Sequence, residues 1–368
     1  MNSEKDIKFM QLALELARQG LGKTSPNPAV GAVIVKDGKI VGQGFHKKAG
    51  TEHAEVLALQ QAGEEARGAT IYVTLEPCSH FGKTPPCAPA LVKAGIKRVI
   101  IACLDPNPKV AGQGEKILND SGVQTEVGLL EREALKLNEV FFKYIQTEIP
   151  FMVLKTAMTL DGKIAAASGD SRWITGETSR QVVHQLRNTY DAIMVGIGTV
   201  LSDDPRLNTR LEGEDKRDPI RIIVDGHLDL QADSQIARTA CEQATIILTS
   251  AIKERGRAEK LEKLGIKIIE LGGDPNQVPV EKALPILGGM KICSILIEGG
   301  AALNAYLLEQ KLIDKVYWFI APKLIGGKTA PTPVAGSGIP LMKDAVNLAD
   351  VEYQQLDSDL LITGYTRW

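Results

Sequence analysis

Three side chains in the first quarter of the chain have the chemistry of metal ligands. His53 lies in TEHAEVLAL, and Cys78 and Cys87 lie in YVTLEPCSHFGKTPPC. One imidazole and two thiolates suit Zn²⁺, and three protein ligands leave a fourth position for water, as in catalytic zinc sites. His80 is a nearby fourth donor, so a closed structural site remains an alternative, as does a segment that binds no metal.

A glutamate two residues after the histidine favours a catalytic over a structural metal site. Positions two apart in a regular helix diverge by about 200°, so His53 and Glu55 share a site only where a helix begins. A helix start favours a neutral His53, and CAPALVKAG predicts another helix start that favours a thiolate at Cys87. Zinc lowers the pKa of bound water to about 7. Glu55 beside that water can pass its proton to a leaving amine, which is hydrolytic deamination of an aromatic ring.

Composition narrows the class of protein. The 368 residues predict two domains at roughly 150 residues each. A net charge of −2 without a basic run argues against a nucleic-acid binder, and no apolar stretch has the roughly 18 residues of a membrane helix. We therefore expect a cytoplasmic protein without nucleic-acid or membrane partners. Five cysteines in a reduced compartment predict no disulfides, and Cys103 and Cys293, in apolar runs, are predicted core residues.

Strand and helix patterns alternate along the chain, which favours α/β domains with largely parallel sheets. AVGAVIVKDGKIVGQGFH predicts a hairpin that turns at Asp37-Gly38. EREALKLNEVFFKYIQ predicts one long helix, and AIMVGIGTV a strand. A break at a proline after the long helix predicts two domains, 1–147 and 148–368.

The second half lacks a convincing G-x-G-x-x-G, so a Rossmann domain is unsupported. CSILIEGGAALNAYLLEQ instead predicts a strand, two glycines and a helix. Gly299 and Gly300 would let a phosphate approach the helix N-terminus. A plain strand-to-helix turn is the alternative interpretation.

The motifs of the first half resemble a known superfamily. HAE and PC resemble the zinc-binding motifs of cytidine deaminases, although eight residues rather than two separate the cysteines. With TSPNPAVGAVIV, GFHKKAGTEHAE and EPCSHFGKTPPC, the chain closely resembles the bifunctional deaminase/reductases of riboflavin biosynthesis. The resemblance implies a cytidine-deaminase-like three-layer domain that deaminates 2,5-diamino-6-(5-phosphoribosylamino)pyrimidin-4(3H)-one. The implied substrate contacts are Asn27, His46, His80 and Lys83.

The second half resembles the reductase of the same family in LKTAMTLDGKIA, SGDSRWITG, GIGTVLSDDPRLNTR and IEGGAALN. The resemblance implies a dihydrofolate-reductase-like α/β domain that uses NADPH to reduce the ribosyl group of 5-amino-6-(5-phosphoribosylamino)uracil to ribityl. The implied cofactor contacts are Ala157, Trp173, Thr199, Asp203, Gly226, Gly300, Ala301, Ala302, Leu303, Asn304, Ala305 and Tyr306. The implied substrate contacts are Ser171, Arg187, Leu207, Arg210 and Glu298.

One choice in this half stays open. Reduction of the opened sugar needs a proton donor, and both Lys155 and Glu298 are candidate catalytic residues. Arg187 and Arg210 suit a phosphate because guanidinium forks bind its oxygens bidentately.

We expect phosphorylated pyrimidines as partners and a homo-oligomer. Two rival classes are a nucleic-acid editing deaminase, which the negative charge disfavours, and a non-catalytic zinc module with a nucleotide-sensing domain, which does not require Glu55.

Overall fold

The computed structural model describes residues 3–79, 85–107, 111–213 and 216–368. The chain forms two compact units, residues 1–148 and 149–368; the boundary predicted from the sequence lies between residues 147 and 148. None of the described helices is both long and apolar enough to cross a membrane.

The first unit is built on a mixed five-stranded sheet in the order β2-β1-β3-β4-β5. β1 runs antiparallel to β2 and β3, whereas β3, β4 and β5 are parallel. Its strands are β1 (Gly31–Lys36), β2 (Lys39–Phe45), β3 (Thr70–Val73), β4 (Arg98–Ile101) and β5 (Gln124–Val127). Its helices are α1 (Glu4–Arg18), α2 (Ala54–Ala62), α3 (Cys87–Lys93), α4 (Gln113–Asp120), α5 (Glu131–Leu137) and α6 (Glu139–Thr147), with a 3₁₀ turn at Gly63–Ala66.

Alternate residues of β1 enter two separate cores. Ala32 and Ile34 pack with α2, α3 and α4. Val33 and Val35 pack on the opposite face, with α1, α5 and α6. Successive strand side chains point to opposite faces, so a sheet buried on both sides reads as a continuous apolar run. This is the predicted three-layer α/β architecture.

Two local predictions in this unit had different outcomes. The hairpin is confirmed, with Asp37 and Gly38 at positive φ between β1 and β2. The single long helix is wrong, because α5 and α6 are separated at Asn138. Asn138 Oδ1 accepts the Ala29 N–H at 2.8 Å, and its Nδ2 donates to the Ala29 carbonyl at 2.9 Å. This paired contact explains the interruption better than helix propensity does.

The second unit is built on a nine-stranded sheet in the order β10-β9-β8-β7-β11-β6-β12-β14-β13. The strands from β10 to β12 in this order are parallel, and β14 and β13 continue the sheet antiparallel. The strands are β6 (Phe151–Thr159), β7 (Ala192–Gly196), β8 (Ile220–Val224), β9 (Thr245–Thr249), β10 (Ile266–Glu270), β11 (Ser294–Ile297), β12 (Lys315–Ala321), β13 (Asn347–Leu356) and β14 (Asp359–Arg367). The helices are α7 (Glu177–Thr189), α8 (Ile197–Asp203), α9 (Gln235–Arg238), α10 (Arg255–Lys263), α11 (Val280–Gly289) and α12 (Ala301–Glu309), with a 3₁₀ turn at Met342–Asp344.

The parallel strands of this sheet are also buried on both faces. Met194 on β7 packs with α11 and α12, whereas its neighbours Ile193 and Val195 pack with α8, α9 and α10. The strand predicted over AIMVGIGTV is only partly right, because β7 ends at Gly196 and α8 begins at Ile197. Ligands of open α/β sheets bind outside the carboxyl ends of the strands, and this change from strand to helix lies at such an end.

Candidate active sites

The predicted metal ligands come together in the first unit. His53 is the N-cap residue of α2, and Cys87 is the first residue of α3. His53 Nδ1 lies 3.2 Å from Cys87 Sγ and 3.5 Å from Cys78 Sγ, and the three ligand atoms lie within 4.8 Å of one another. Tetrahedral zinc with bonds of about 2.1 Å to nitrogen and 2.3 Å to sulfur separates these atoms by about 3.6 Å. The donor set therefore fits zinc in both chemistry and spacing.

The two thiols are not equivalent. Hydrogen bonding from the Cys87 thiol, together with His53 and the Cys87 N–H at 3.3 Å, lowers the pKa of Cys78 to about 4 although burial opposes this. The same contact raises the pKa of Cys87, and hydrogen bonding to Cys78 raises that of His53. The expectation that helix starts favour a thiolate at Cys87 and a neutral His53 concerns the zinc-bound site and stays a prediction.

Glu55 is the second residue of α2 and lies beside this cluster with only 3% of its surface exposed. Burial, followed by the charge of Cys78, raises its pKa to about 7. A carboxyl group with such a pKa takes and releases a proton near neutral pH, which is the property required of a general acid and base.

Two of the predicted substrate contacts form a chain that leads to the metal ligands. His46 Nδ1 donates to the Glu52 carbonyl at 3.1 Å, which leaves Nε2 to accept from Asn27 Nδ2 at 3.2 Å; these contacts fix the tautomer. The His46 ring packs edge-on against His53, with centroids 5.4 Å apart. The other two predicted contacts, His80 and Lys83, lie outside the described residues.

In the second unit three charged side chains meet just beyond the carboxyl end of β11, beside the middle of β6. Ile297 pairs with Leu154, so Glu298 follows β11 at the level of Lys155. Arg187 of α7 binds Glu298 through Nε at 2.6 Å and Nη2 at 3.0 Å, and Lys155 Nζ lies 3.3 Å from the same carboxylate. Burial alone would raise the pKa of Glu298, but these two cations lower it to about 2. Glu298 is therefore ionised throughout the neutral range.

The segment after α8 is tied to this charged cluster. Arg187 Nη1 donates to the Asn208 carbonyl at 3.0 Å, and the Arg210 N–H donates to His184 Nδ1 at 3.3 Å. Burial, with the charges of Arg187 and Arg210, lowers the pKa of His184 to about 4. Leu207 is buried, and Arg210 is exposed. Sequence reasoning missed His184, although its spacing of three residues from Arg187 predicts that both share one helix face.

A cleft of about 600 Å³ lies beside the glycine turn after β11, within the range of about 300–1,000 Å³ typical of small-molecule sites. Gly300 is the N-cap residue of α12, and a Cβ on it would lie 3.6 Å from Thr199 Oγ1. The volume of the cleft and the start of α12 next to it suit a dinucleotide phosphate. The predicted cofactor contacts that line this cleft are Gly226, Ala302, Leu303, Ala305 and Tyr306.

The remaining predicted contacts have other surroundings. Ala157 lies two residues beyond Lys155 on β6, so both side chains face one side of the sheet. Asn304 is buried, and its Nδ2 donates to the Pro333 carbonyl at 2.9 Å. Trp173 is 60% exposed, with the Arg180 guanidinium 4.7 Å above its ring. Ser171 lies in the loop before α7, Asp203 ends α8 at the surface, and Ala301 opens α12.

Comparison with known proteins places both units in families. Residues 3–103 match the cytidine and deoxycytidylate deaminase zinc-binding region, and residues 150–362 match the RibD C-terminal domain. The fold and sites therefore define a deaminase joined to a reductase.

Relatives that match along nearly their whole length identify the family. Riboflavin biosynthesis protein RibD of Actinobacillus pleuropneumoniae is 46% identical, covering 97% of this chain and 94% of its own, and that of Aquifex aeolicus is 44% identical, covering 98% and 99%. The structure of Acinetobacter baumannii RibD, form 1, has a TM-score of 0.88 at 40% identity, with 99% of each chain covered. The chain belongs to the RibD family, and it is a bifunctional deaminase and reductase of riboflavin biosynthesis.

Proposed function

We propose that the first unit catalyses zinc-dependent hydrolytic deamination of 2,5-diamino-6-(5-phosphoribosylamino)pyrimidin-4(3H)-one. The observation that carries the proposal is the cluster of His53, Cys78 and Cys87 beside buried Glu55. A Thermotoga maritima protein of known structure, 36% identical over 99% of both chains with a TM-score of 0.84, is described as a diaminohydroxyphosphoribosylaminopyrimidine deaminase/5-amino-6-(5-phosphoribosylamino)uracil reductase. That description supports the same substrates here.

His53, Cys78 and Cys87 would hold the zinc. When bound, the metal lowers the pKa of a coordinated water to about 7. Glu55 takes a proton from the attacking water at a carboxylate oxygen and returns it to the departing amine, so water and the amine are exchanged for a carbonyl and ammonia. Asn27 and His46 form a neutral hydrogen-bonding pair next to His53 and would contact the substrate. A pyrimidine ring edge offers donors and acceptors that such amide and imidazole groups bind.

We propose that the second unit reduces the ribosyl group of the deaminated product to ribityl with NADPH. The cofactor would lie in the cleft next to the α12 start, with its pyrophosphate at the Gly300 turn. When bound there, NADPH would supply a hydride for the sugar carbon, and a proton held by this unit's own side chains would complete the reduction.

We assign this proton to Lys155 rather than to Glu298. The Glu298 carboxyl has a pKa of about 2, so it carries no proton to donate at neutral pH. Lys155 Nζ lies 3.3 Å from that carboxylate, and an ammonium beside a fixed carboxylate holds a transferable proton in a defined position. Glu298 is then the residue that orients Lys155.

The two arginines have different surroundings, and we propose different roles for them. Three donors of Arg187 are engaged by Glu298 and Asn208, so its main role would be to hold Glu298 and the 207–210 segment. Arg210 is the exposed last residue of that segment, and its guanidinium is the better candidate for the substrate 5-phosphate.

We further propose that residues 1–147 carry the deaminase and residues 148–368 the reductase, in a cytoplasmic homo-oligomer that binds neither membrane nor nucleic acid. Sedimentation velocity of the full chain tests the assembly. A single sedimenting species with the mass of one chain at micromolar concentration would contradict it.

The two activities are tested with two separate readings. The purified chain is incubated with the diamino-pyrimidinone ribosyl phosphate, and ammonia release is measured before NADPH is added. NADPH oxidation is then followed by absorbance, with NADH in a parallel sample. We expect ammonia first and NADPH oxidation only after deamination. Oxidation of NADPH without ammonia release would contradict the assigned order, and zinc-free wild-type protein with full ammonia release would contradict the metal site.

A further inference from the structure

Glu76 is a buried carboxylate two residues before the metal ligand Cys78, and no step proposed above uses it. Only 4% of its surface is exposed. Oε1 accepts the N–H groups of Gly114 at 2.8 Å and Glu115 at 3.3 Å. Oε2 accepts those of Gly112 at 3.0 Å and Asp105 at 3.2 Å. The N–H groups of Gly112, Gly114 and Glu115 belong to the N-cap and first turn of α4, so the carboxylate neutralises the free end of that helix. The fourth donor, Asp105, lies in the loop after β4.

The start of α4 also packs against the backbone just before Cys78. A Cβ on Gly114 would lie 1.9 Å from the Pro77 carbonyl oxygen, so α4 packs directly against residue 77. On the other side, the Ala88 N–H donates to the Cys78 carbonyl at 3.1 Å and the Cys87 N–H to Cys78 Sγ at 3.3 Å. Cys78 therefore lies between two helix starts, one held by its own atoms and the other by Glu76.

We infer that Glu76 is a positioning residue for the metal ligand Cys78, acting through the start of α4 and the Pro77 backbone. The Glu76 carboxylate joins the chain that follows β3 to the start of α4. Because the φ of Pro77 is fixed, a displacement of Glu76 would also displace Cys78. The inference rests on the zinc site proposed above. Partners outside the ligand shell that orient metal ligands typically change metal affinity about 10–100-fold when they are removed.

The test compares Glu76→Ala and Glu76→Gln with the matched control Glu115→Gln. The control lies on α4 and keeps its backbone N–H, and its side chain bonds Thr125 rather than residue 76 or 77. Zinc affinity of the full chain is measured by competition with a chromogenic chelator. We expect about 10–100-fold weaker binding for Glu76→Ala. Glu76→Gln keeps the side-chain volume and one acceptor oxygen, so its loss should be smaller, and the control should match wild type.

Amide hydrogen exchange provides a second reading that does not depend on zinc or activity. The Gly112 and Gly114 amides should exchange faster in Glu76→Ala, and NADPH oxidation with pre-deaminated substrate should be unchanged. Faster exchange with wild-type zinc affinity would make Glu76 an anchor of α4 alone and would overturn the inference.

The experiment separates this inference from the proposed zinc site. If wild-type protein binds no zinc, the proposed site fails, and the positioning role fails with it. If wild type binds zinc and both Glu76 variants bind it equally well, only the positioning role fails. Should Glu76→Ala not fold, Glu76→Gln decides: weaker zinc binding in a folded chain supports the role, and unchanged binding excludes it.

Discussion

Each unit of the protein contains a buried glutamate at its candidate site, and the two glutamates have opposite protonation behaviour. Burial and the neighbouring Cys78 thiolate raise the pKa of Glu55 to about 7. The side chain of Glu298 is also only 8% exposed, but Arg187 and Lys155 lower its pKa to about 2. Burial favours the neutral acid in both cases, and the partner decides the outcome. Glu55 is therefore suited to carry a proton, whereas Glu298 is suited to hold a cation.

The largest expected effect is on the proton carrier of the first unit. Glu55→Gln should lower ammonia release by roughly 10²–10⁴-fold, because the shape is kept and the acid–base group is lost. Zinc content and NADPH oxidation with pre-deaminated substrate should stay at wild-type levels. Glu64→Gln, an exposed carboxylate after the same helix, is the control. Ammonia release within a few-fold of wild type would exclude Glu55 as the acid–base group.

In the second unit the corresponding test is on Lys155 rather than on Glu298, because Lys155 is the proposed proton donor. Lys155→Met should lower the reductase turnover by roughly 10²–10³-fold, because water can replace part of the proton donation. Lys155→Arg keeps a charge next to Glu298 but cannot readily release a proton, so turnover should stay low. The measurement is NADPH oxidation with pre-deaminated substrate. Near-normal turnover in Lys155→Arg would mean that charge alone is required.

The contrast also explains what the sequence could predict. The metal site was found from residue types because the combination of His53, Cys78, Cys87 and Glu55 suits few other roles. The reductase cluster is made of Lys155, Arg187 and Glu298, which are common residue types, and the ion pairs that join them span 143 and 111 residues of sequence. The resemblance to a family supplied those positions, and their mutual contacts came only from the structure.

Local rules failed where a tertiary contact overrode them. Asn138 interrupts a helical pattern because it pairs with the Ala29 backbone. AIMVGIGTV was only partly right for a different reason: a short apolar run does not by itself distinguish a strand from a helix, and here β7 ends at Gly196 and α8 follows.

A third experiment separates stability from substrate binding in the reductase cluster. Arg187→Met leaves a buried carboxylate with Lys155 as its remaining cationic partner, and breaking a buried pair costs about 3–5 kcal/mol. We expect about 3 kcal/mol lower unfolding free energy of the second unit in urea, with partial recovery in the double variant with Glu298→Gln. Arg210→Met should leave stability unchanged and weaken substrate binding about ten- to two-hundredfold. Equal destabilisation by both variants would contradict the separate roles.

The smallest expected effect concerns Asp6. Its pKa is lowered mainly by hydrogen bonds, whereas that of Glu298 is lowered mainly by buried ion pairs. Burial would raise the pKa of Asp6, but the Tyr72 hydroxyl at 2.6 Å, Ser3 and the charge of Arg98 together lower it from 3.8 to about 2. A lowered pKa stabilises the fold above the unfolded value, and the contribution is lost as pH falls from about 4 to 2. The shift corresponds to about 2 kcal/mol.

Wild type should therefore lose about that much more unfolding free energy than Asp6→Asn between pH 5 and pH 2, with exposed Glu4→Gln as the control. Because neutral donors dominate, 0.5 M salt should change this difference little, and a strong salt dependence would assign it to Arg98 instead.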